Sequence, residues 1–101
     1  MTVATMAVRF RVEQDRITPI VQEAAQSLEK TDADLILDFS CVRRLDANAI
    51  EALEKLAQSA ERRKVKAILR GVDIGVYKVL KLVSLTTKFS FPPPMQEGPE
   101  S

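Results

Sequence analysis

Segments with the two-residue repeat of a strand alternate with segments that have the repeat of a helix along most of the chain. At the centre of this alternation, residues 35–39 form a short run that is apolar except at Asp38, and helix-like segments flank it. Such a run is typical of a strand covered on both faces in the middle of a parallel sheet. Strands that are separated by helices need crossover connections, so the pattern predicts an α/β fold with a mostly parallel or mixed sheet.

The pattern divides into four strands and three helices in the order β-α-β-α-β-α-β. The predicted strands cover residues 5–12, 35–39, 65–69 and 87–91. In the first strand Arg9 and Arg11 alternate with apolar residues, which indicates one solvent-exposed face and suits a sheet edge. The prolines at 92–94 then end regular structure. We therefore expect residues 1–91 to form a single domain and residues 92–101 to be a disordered, Pro-rich tail.

Each predicted helix has a recognisable start. Thr18 is a suitable cap for the first helix, and Pro19 suits its first position, where a missing N–H costs nothing. Asp46 is a suitable cap for the second, which places acidic residues early and basic residues late, as the helix dipole favours. Asp73 is placed to cap a short third helix, after a turn that Gly71 permits.

Composition limits the chemistry available to this chain. Its 101 residues include no histidine and one cysteine, Cys41, so the commonest general base and the usual zinc ligand sets are missing. Residues 71–75 contain two glycines but match neither a dinucleotide fingerprint nor a phosphate loop. We therefore expect Cys41 to be structural and the protein to have no enzymatic activity, cofactor or metal. The lone cysteine, together with no signal-peptide pattern, favours a cytoplasmic location.

Charge is unevenly distributed, although the net charge is only +1. Residues 1–40 are net acidic, residues 41–91 carry eleven basic and five acidic side chains, and residues 92–101 carry two acids. The basic section suits an acidic protein surface, a nucleotide or an anionic lipid, but a solvated basic face has the same pattern. Nucleic acid is not an expected partner.

One short segment is a candidate binding site. Residues 45–49, with the sequence LDANA, join the central strand to the second helix, and a helix N-terminus exposes unpaired N–H groups that favour acceptor groups. The simpler interpretation is that Asp46 caps the helix and that Asn48 is an incidental polar residue. The residues alone leave both interpretations open.

Residues 35–89 resemble the STAS domain of bacterial anti-sigma-factor antagonists. In that family a strand and a short loop lead to a D-S-S-G or D-T-S-G motif at the head of a long helix. A strand, a turn and a helix ending in L-x-x-x-G-L then precede a phenylalanine. Here the corresponding ending is Leu80-Lys81-Leu82-Val83-Ser84-Leu85 followed by Phe89, with Ser84 in place of the glycine. The family's last helix and first N-terminal strand have no counterpart in this chain.

The resemblance implies a non-catalytic protein-binding module that lacks the family's phosphorylation switch. The phosphorylated Ser or Thr of the family corresponds to Asn48, the first Ser to Ala47 and the Gly to Ala49, while Asp46 is retained. Asn48 cannot accept a phosphate, so the chain should resemble the permanently unmodified, binding-competent state.

The resemblance also implies the partners and the contact surface. The expected partner is a protein such as an anti-sigma-type serine kinase or a stressosome-like assembly, and a homodimer is compatible with it. The alternatives are an accessory subunit of a lipid-transport ABC complex and a nucleotide-binding sensor. The expected contact residues surround the head of the second helix: Ser40, Arg43, Arg44, Asp46, Ala47, Asn48 and Ala49.

Overall fold

A computed structural model describes residues 7–30 and 32–91 of the chain. In chain order, the elements are β1 (Ala7–Glu13), a 3-10 turn (Gln14–Arg16), α1 (Ile17–Leu28), β2 (Asp34–Cys41), α2 (Ala47–Arg63), β3 (Ala67–Arg70) and α3 (Ile74–Leu82). Residues 5 and 6 of the first predicted strand and the predicted tail at 92–101 lie outside the described residues. None of these three helices has the length and apolar character that a membrane span needs.

The sheet of the described residues has three parallel strands in the order β1-β2-β3. The predicted α/β class, the three helices and the central position of β2 are confirmed. The predicted four-stranded mixed sheet is wrong, because residues 87–91 make only one isolated parallel bridge, between Ser90 and Ile68. Ser90 already donates its N–H to the carbonyl oxygen of Ala67 at 2.9 Å. Alternate residues donate to the neighbouring strand in a parallel pair, so the next donor after Ser90 would be residue 92, which is a proline and has no N–H.

α1 and α2 pack on one face of this sheet. The strand side chains beneath them are fully or almost fully buried: Val12, Leu35, Leu37, Phe39, Ala67 and Leu69. α1 and α2 lie against each other over this face, as right-handed crossovers between adjacent parallel strands require. On the other face, Asp34, Ile36 and Asp38 of β2 are only partly buried. The prediction that β2 is covered on both faces is therefore wrong for the described part of the chain.

The start of α1 differs from the prediction. The helix begins at Ile17, directly after the 3-10 turn, and the residue before it, Arg16, makes no side-chain cap. Thr18 therefore lies inside the helix and does not cap it. Pro19 is the third helical residue, which still belongs to the first turn, where no N–H has an intrahelical partner.

The predicted caps of the other two helices are confirmed. Asp46 accepts a hydrogen bond from the backbone N–H of Ala49 at 2.8 Å, at the head of α2. Asp73 accepts one from the backbone N–H of Gly75 at 2.9 Å, at the head of α3. Both caps satisfy donors that the first helical turn leaves unpaired.

The ends of α2 and α3 share a left-handed residue that is not glycine. Lys64 has a φ of 60° and Ser84 a φ of 63°. In α3 the N–H of Leu85 then returns to the carbonyl oxygen of Leu80 at 2.8 Å, and α2 ends with the same bonding pattern. This is a Schellman ending, in which glycine is the usual left-handed residue. Ser84 occupies the position at which the STAS resemblance places a glycine.

Candidate functional site at the carboxyl edge of the sheet

The segments that follow the three strands meet at one edge of the sheet. Because the strands are parallel, residues 14–16, 42–46 and 71–73 all lie at its carboxyl edge. Ligands of open α/β sheets bind at this edge. The seven predicted contact residues, which span 40–49, belong to the second of these segments or border it.

The head of α2 presents Asn48 on its surface. Ala47 and Asn48 are exposed, whereas Ala49 is 1% exposed and packs in the core. Asp46 is occupied by its capping bond to the N–H of Ala49. These residues therefore differ in their surroundings: Asp46 ends the loop and caps the helix, Ala49 anchors the first turn in the core, and the amide of Asn48 is exposed.

A polar groove between α1 and α2 begins at Asn48. Its volume is about 450 Å³, and its walls are Thr18, Gln22, Ala25, Gln26, Asn48, Glu51, Ala52 and Lys55. Glu51 and Lys55 form an exposed pair with their charged atoms 3.7 Å apart, so the charges of the groove are balanced. An occupant of this groove meets hydrogen-bonding groups and no net charge.

Gln14, which the sequence analysis did not identify, holds the loop at 42–46. Its Oε1 accepts hydrogen bonds from the backbone N–H groups of Arg43 at 2.6 Å and Arg44 at 3.2 Å. Its Nε2 donates to the carbonyl oxygen of Arg44 at 3.1 Å. The backbone of the loop is thus fixed while both arginine side chains remain exposed. The contact spans about thirty positions and depends on the pairing of β1 with β2, so no local sequence signal reveals it.

Arg43 connects the second loop to the head of α3. Its Nη1 lies 3.9 Å from Oδ1 of Asp73, and the two side chains are 77% and 37% exposed, so the pair adds little stability. The residue after Asp73 is Ile74, a large apolar side chain that is 68% exposed. Ile74 is not among the seven contact residues predicted from the sequence. Ile74 follows the ion-pair partner of Arg43 in the chain, so the head of α3 carries one exposed apolar side chain, which by itself is ordinary on a protein surface.

Ser40 lies against Gly71, where the second and third segments meet. A Cβ on residue 71 would be 3.0 Å from Cβ of Ser40, and Gly71 has a φ of +67°, so glycine is needed here for space and for conformation. The backbone N–H of Ser40 donates to Oδ1 of Asp38 at 3.0 Å. Hydrogen bonds from Ser40 are the main cause that lowers the pKa of Asp38, and the charges of Arg11 and Arg70 lower it further.

Cys41 is exposed at the end of β2, outside the hydrophobic core. Nη2 of Arg11 lies 3.7 Å from its Sγ, and this contact is the main cause that raises the pKa of Arg11 above its usual value. Arg11 therefore stays charged at any physiological pH. Over residues 7–30 and 32–91, no group of three or more acidic or cysteine side chains is arranged to hold a metal ion.

Solved structures of other proteins share this fold. A candidate anti-sigma factor antagonist from Thermotoga maritima has a TM-score of 0.73 and 15% identity, over 95% of this chain and 86% of that chain. A serine-to-glutamate variant of RsbS from Moorella thermoacetica has a TM-score of 0.69 and 16% identity, over 97% of this chain and 90% of that chain. At such identities the likeness shows the fold alone. No curated protein matches the sequence of this chain.

The family model of the STAS domain matches residues 12–98, which is most of the chain. The matched span includes β2, α2, β3 and α3 and all seven of the expected contact residues. The sequence resemblance and the three-helix α/β architecture agree with this match. The chain therefore belongs to the STAS domain family.

Proposed function

We propose that this chain is a cytosolic, non-catalytic STAS module that acts by binding a protein partner, in the manner of an anti-sigma-factor antagonist. The observation that carries the proposal is Asn48, an exposed amide at the head of α2. The family resemblance places the phosphorylated Ser or Thr at this position. An asparagine has a side chain of similar reach but cannot be phosphorylated, so the module stays competent to bind.

The docking surface consists of the head of α2 and the loop before it. Arg43 and Arg44 supply two exposed positive charges, and Ile74 at the head of α3 supplies an apolar contact. Because Gln14 already holds the loop backbone, docking orders few additional groups and loses little conformational entropy. A preorganised surface with this charge suits an acidic patch on a protein partner.

We infer that the partner is a regulator of the anti-sigma type, such as a serine kinase. The description of the Thermotoga maritima protein as a candidate anti-sigma factor antagonist supports this class of partner. In the family, a phosphate at the helix head adds about two negative charges and expels the partner. Asn48 removes that step, so the amount of bound partner follows the concentrations of the two proteins.

Phosphate mapping tests the loss of the switch. After incubation of the full chain with ATP and a serine kinase that it captures, peptides covering residues 40–49 should carry no phosphate at the head of α2, because neither Ala47 nor Asn48 has a hydroxyl. The matched control is Asn48→Ser, which should become phosphorylated at residue 48 and so show that the kinase is active on this surface. Phosphate on wild-type Ser40, an exposed hydroxyl close by, would contradict the constitutive state.

A further inference from the structure

The sheet face opposite the helices carries a row of charged residues across its strands. The register of the three strands places Arg11, Asp38 and Arg70 side by side, and it places Arg9, Ile36 and Ile68 in the neighbouring row. Partners at the same position of a parallel ladder point to the same side of the sheet. We call these two rows the arginine face.

The arginine face contains an open basin of about 510 Å³. Its walls are Arg9, Phe10, Arg11, Ile36, Asp38, Ser40, Arg70 and Gly71, all of which belong to strands or to the residues next to them. No helix among the described residues contributes to these walls. The basin is therefore a surface of the sheet itself, separate from the groove between α1 and α2.

The basin has an excess of positive charge. Three guanidinium groups surround one carboxylate, and none of the ion pairs found among the described residues involves Arg9, Arg11 or Arg70. Asp38 stays ionised because its pKa is lowered, so the charged residues of the walls sum to two positive charges, although the charge of Glu13 also acts on Arg11. Two further acids lie on neighbouring positions of the strands, Glu13 at the end of β1 and Asp34, which already accepts a hydrogen bond from Lys66.

The spacing of these charges favours one kind of ligand. Adjacent strands lie about 4.8 Å apart, so the backbones of Arg11 and Arg70 are separated by about 10 Å, with Asp38 between them. A single anion over the middle of the row would meet the carboxylate of Asp38. Two anionic groups about 9–10 Å apart would each meet one guanidinium. In a polyproline II segment, side chains three positions apart project from the same side with a separation of about 9 Å.

We propose that the arginine face binds an acidic, extended segment of a partner protein. Two carboxylates three positions apart bind Arg11 and Arg70, and an apolar side chain between them contacts the partly buried Ile36. Arginine suits this role because its planar fork binds a carboxylate through two hydrogen bonds. The site does not depend on the proposed docking surface at the head of α2.

A labelled peptide tests this proposal. The probe is a short fluorescent peptide with flanking prolines, two glutamates three positions apart and a leucine between them, titrated into the full chain at low salt. We expect saturable binding that weakens as salt is added. A peptide with glutamine at both glutamate positions should not bind.

Variants of the full chain locate the site. Arg11→Gln and Arg70→Gln should each weaken binding by about three- to tenfold. Arg62→Gln removes an exposed arginine from the last turn of α2, on the helix side of the sheet, and should leave binding unchanged. Arg11→Gln also removes the contact of Arg11 with Sγ of Cys41, so Arg70→Gln is the second, independent test where Arg11→Gln lowers the thermal stability.

Four results would overturn the proposal. The first two are equal binding of the glutamine peptide and an equal loss of binding in Arg62→Gln. The third is complete displacement of the peptide by millimolar inorganic phosphate, which would indicate a site for small anions. The fourth is peptide binding that is detected only after Glu97→Gln and Glu100→Gln have been introduced. That result would identify this chain's own acidic segment as the occupant of the basin. None of these variants alters Asn48, so failure here leaves the docking proposal at α2 intact.

Discussion

Replacement of Ser84 by glycine should stabilise this protein. Ser84 has a φ of 63°, and a residue with a Cβ costs about 1–2 kcal/mol in this left-handed conformation. Glycine has no such cost, but its greater freedom in the unfolded chain offsets about 0.5–1 kcal/mol of the gain. The side chain of Ser84 is exposed, so its removal sacrifices little packing. We expect Ser84→Gly to raise the free energy of unfolding by about 0.5–1 kcal/mol.

Urea unfolding of the full chain measures this change, and thermal unfolding should show an increase of a few degrees in Tm. Two controls separate the backbone effect from other causes. Ser84→Ala keeps a Cβ and should not stabilise. Ser59→Gly places glycine inside α2 and should destabilise by roughly 0.5 kcal/mol. A Ser84→Gly variant that is less stable than wild type, or a Ser84→Ala variant with the same gain, would refute the reasoning.

Three further changes test the site. Gln14→Ala removes three hydrogen bonds from the loop at 42–46 and should cost about 1–2 kcal/mol in urea unfolding, whereas Gln14→Glu, which keeps the acceptor, should cost less. Gly71→Ala should cost at least about 1 kcal/mol, because its Cβ meets Ser40 and its φ is positive. The pKa of Asp38 is lower in the folded than in the unfolded protein, so the ionised carboxylate stabilises the fold above about pH 4. This contribution is lost as the pH falls through the lower pKa of the folded state. Asp38→Asn should therefore lose less stability than wild type over that acidic range.

Local patterns were sufficient to predict the elements that lie around the head of α2. Asp46 and Asp73 are the caps that their residue type and position indicate, because a capping bond joins residues only two or three positions apart. The apolar run of β2 also indicated its central place in the sheet. These features depend on short-range chemistry that a single sequence displays directly.

The wrong predictions have a common physical cause. Residues 87–91 alternate like a strand, but Lys88 donates its backbone N–H to the carbonyl oxygen of Leu85 in a turn, and the pairing of this segment with β3 is confined to Ser90. Thr18 has the residue type of a cap, but the 3-10 turn before it starts the helix at Ile17. In both cases the local pattern was compatible with two structures, and neighbouring segments determined which one formed.

Contacts that join distant parts of the chain were beyond prediction from one sequence. Gln14 reaches the loop at 42–46 only because β1 lies beside β2. The row of Arg11, Asp38 and Arg70 exists only in the observed register, since a shift of one strand by one residue would turn all of its side chains to the opposite face. Only the pairing of the strands therefore shows that the head of α2 and the arginine face are two separate surfaces.

The central claim is that the exposed amide at the head of α2 contacts the partner. Asn48→Asp adds a negative charge in the first turn, where the helix dipole favours it, so stability should be unchanged or higher by up to about 1 kcal/mol. The matched control is Gln58→Glu, which adds the same charge at an exposed position farther along α2.

The partner is first captured from the native lysate with the wild-type chain and then purified. The decisive measurement is the dissociation constant of this partner for wild type, Asn48→Asp and Gln58→Glu. We expect Asn48→Asp to weaken binding by about tenfold or more, because the new charge must be desolvated against the partner, and we expect Gln58→Glu to bind like wild type. Equal dissociation constants for wild type and Asn48→Asp, at matched thermal stability, would contradict the claim that this helix head is the functional surface.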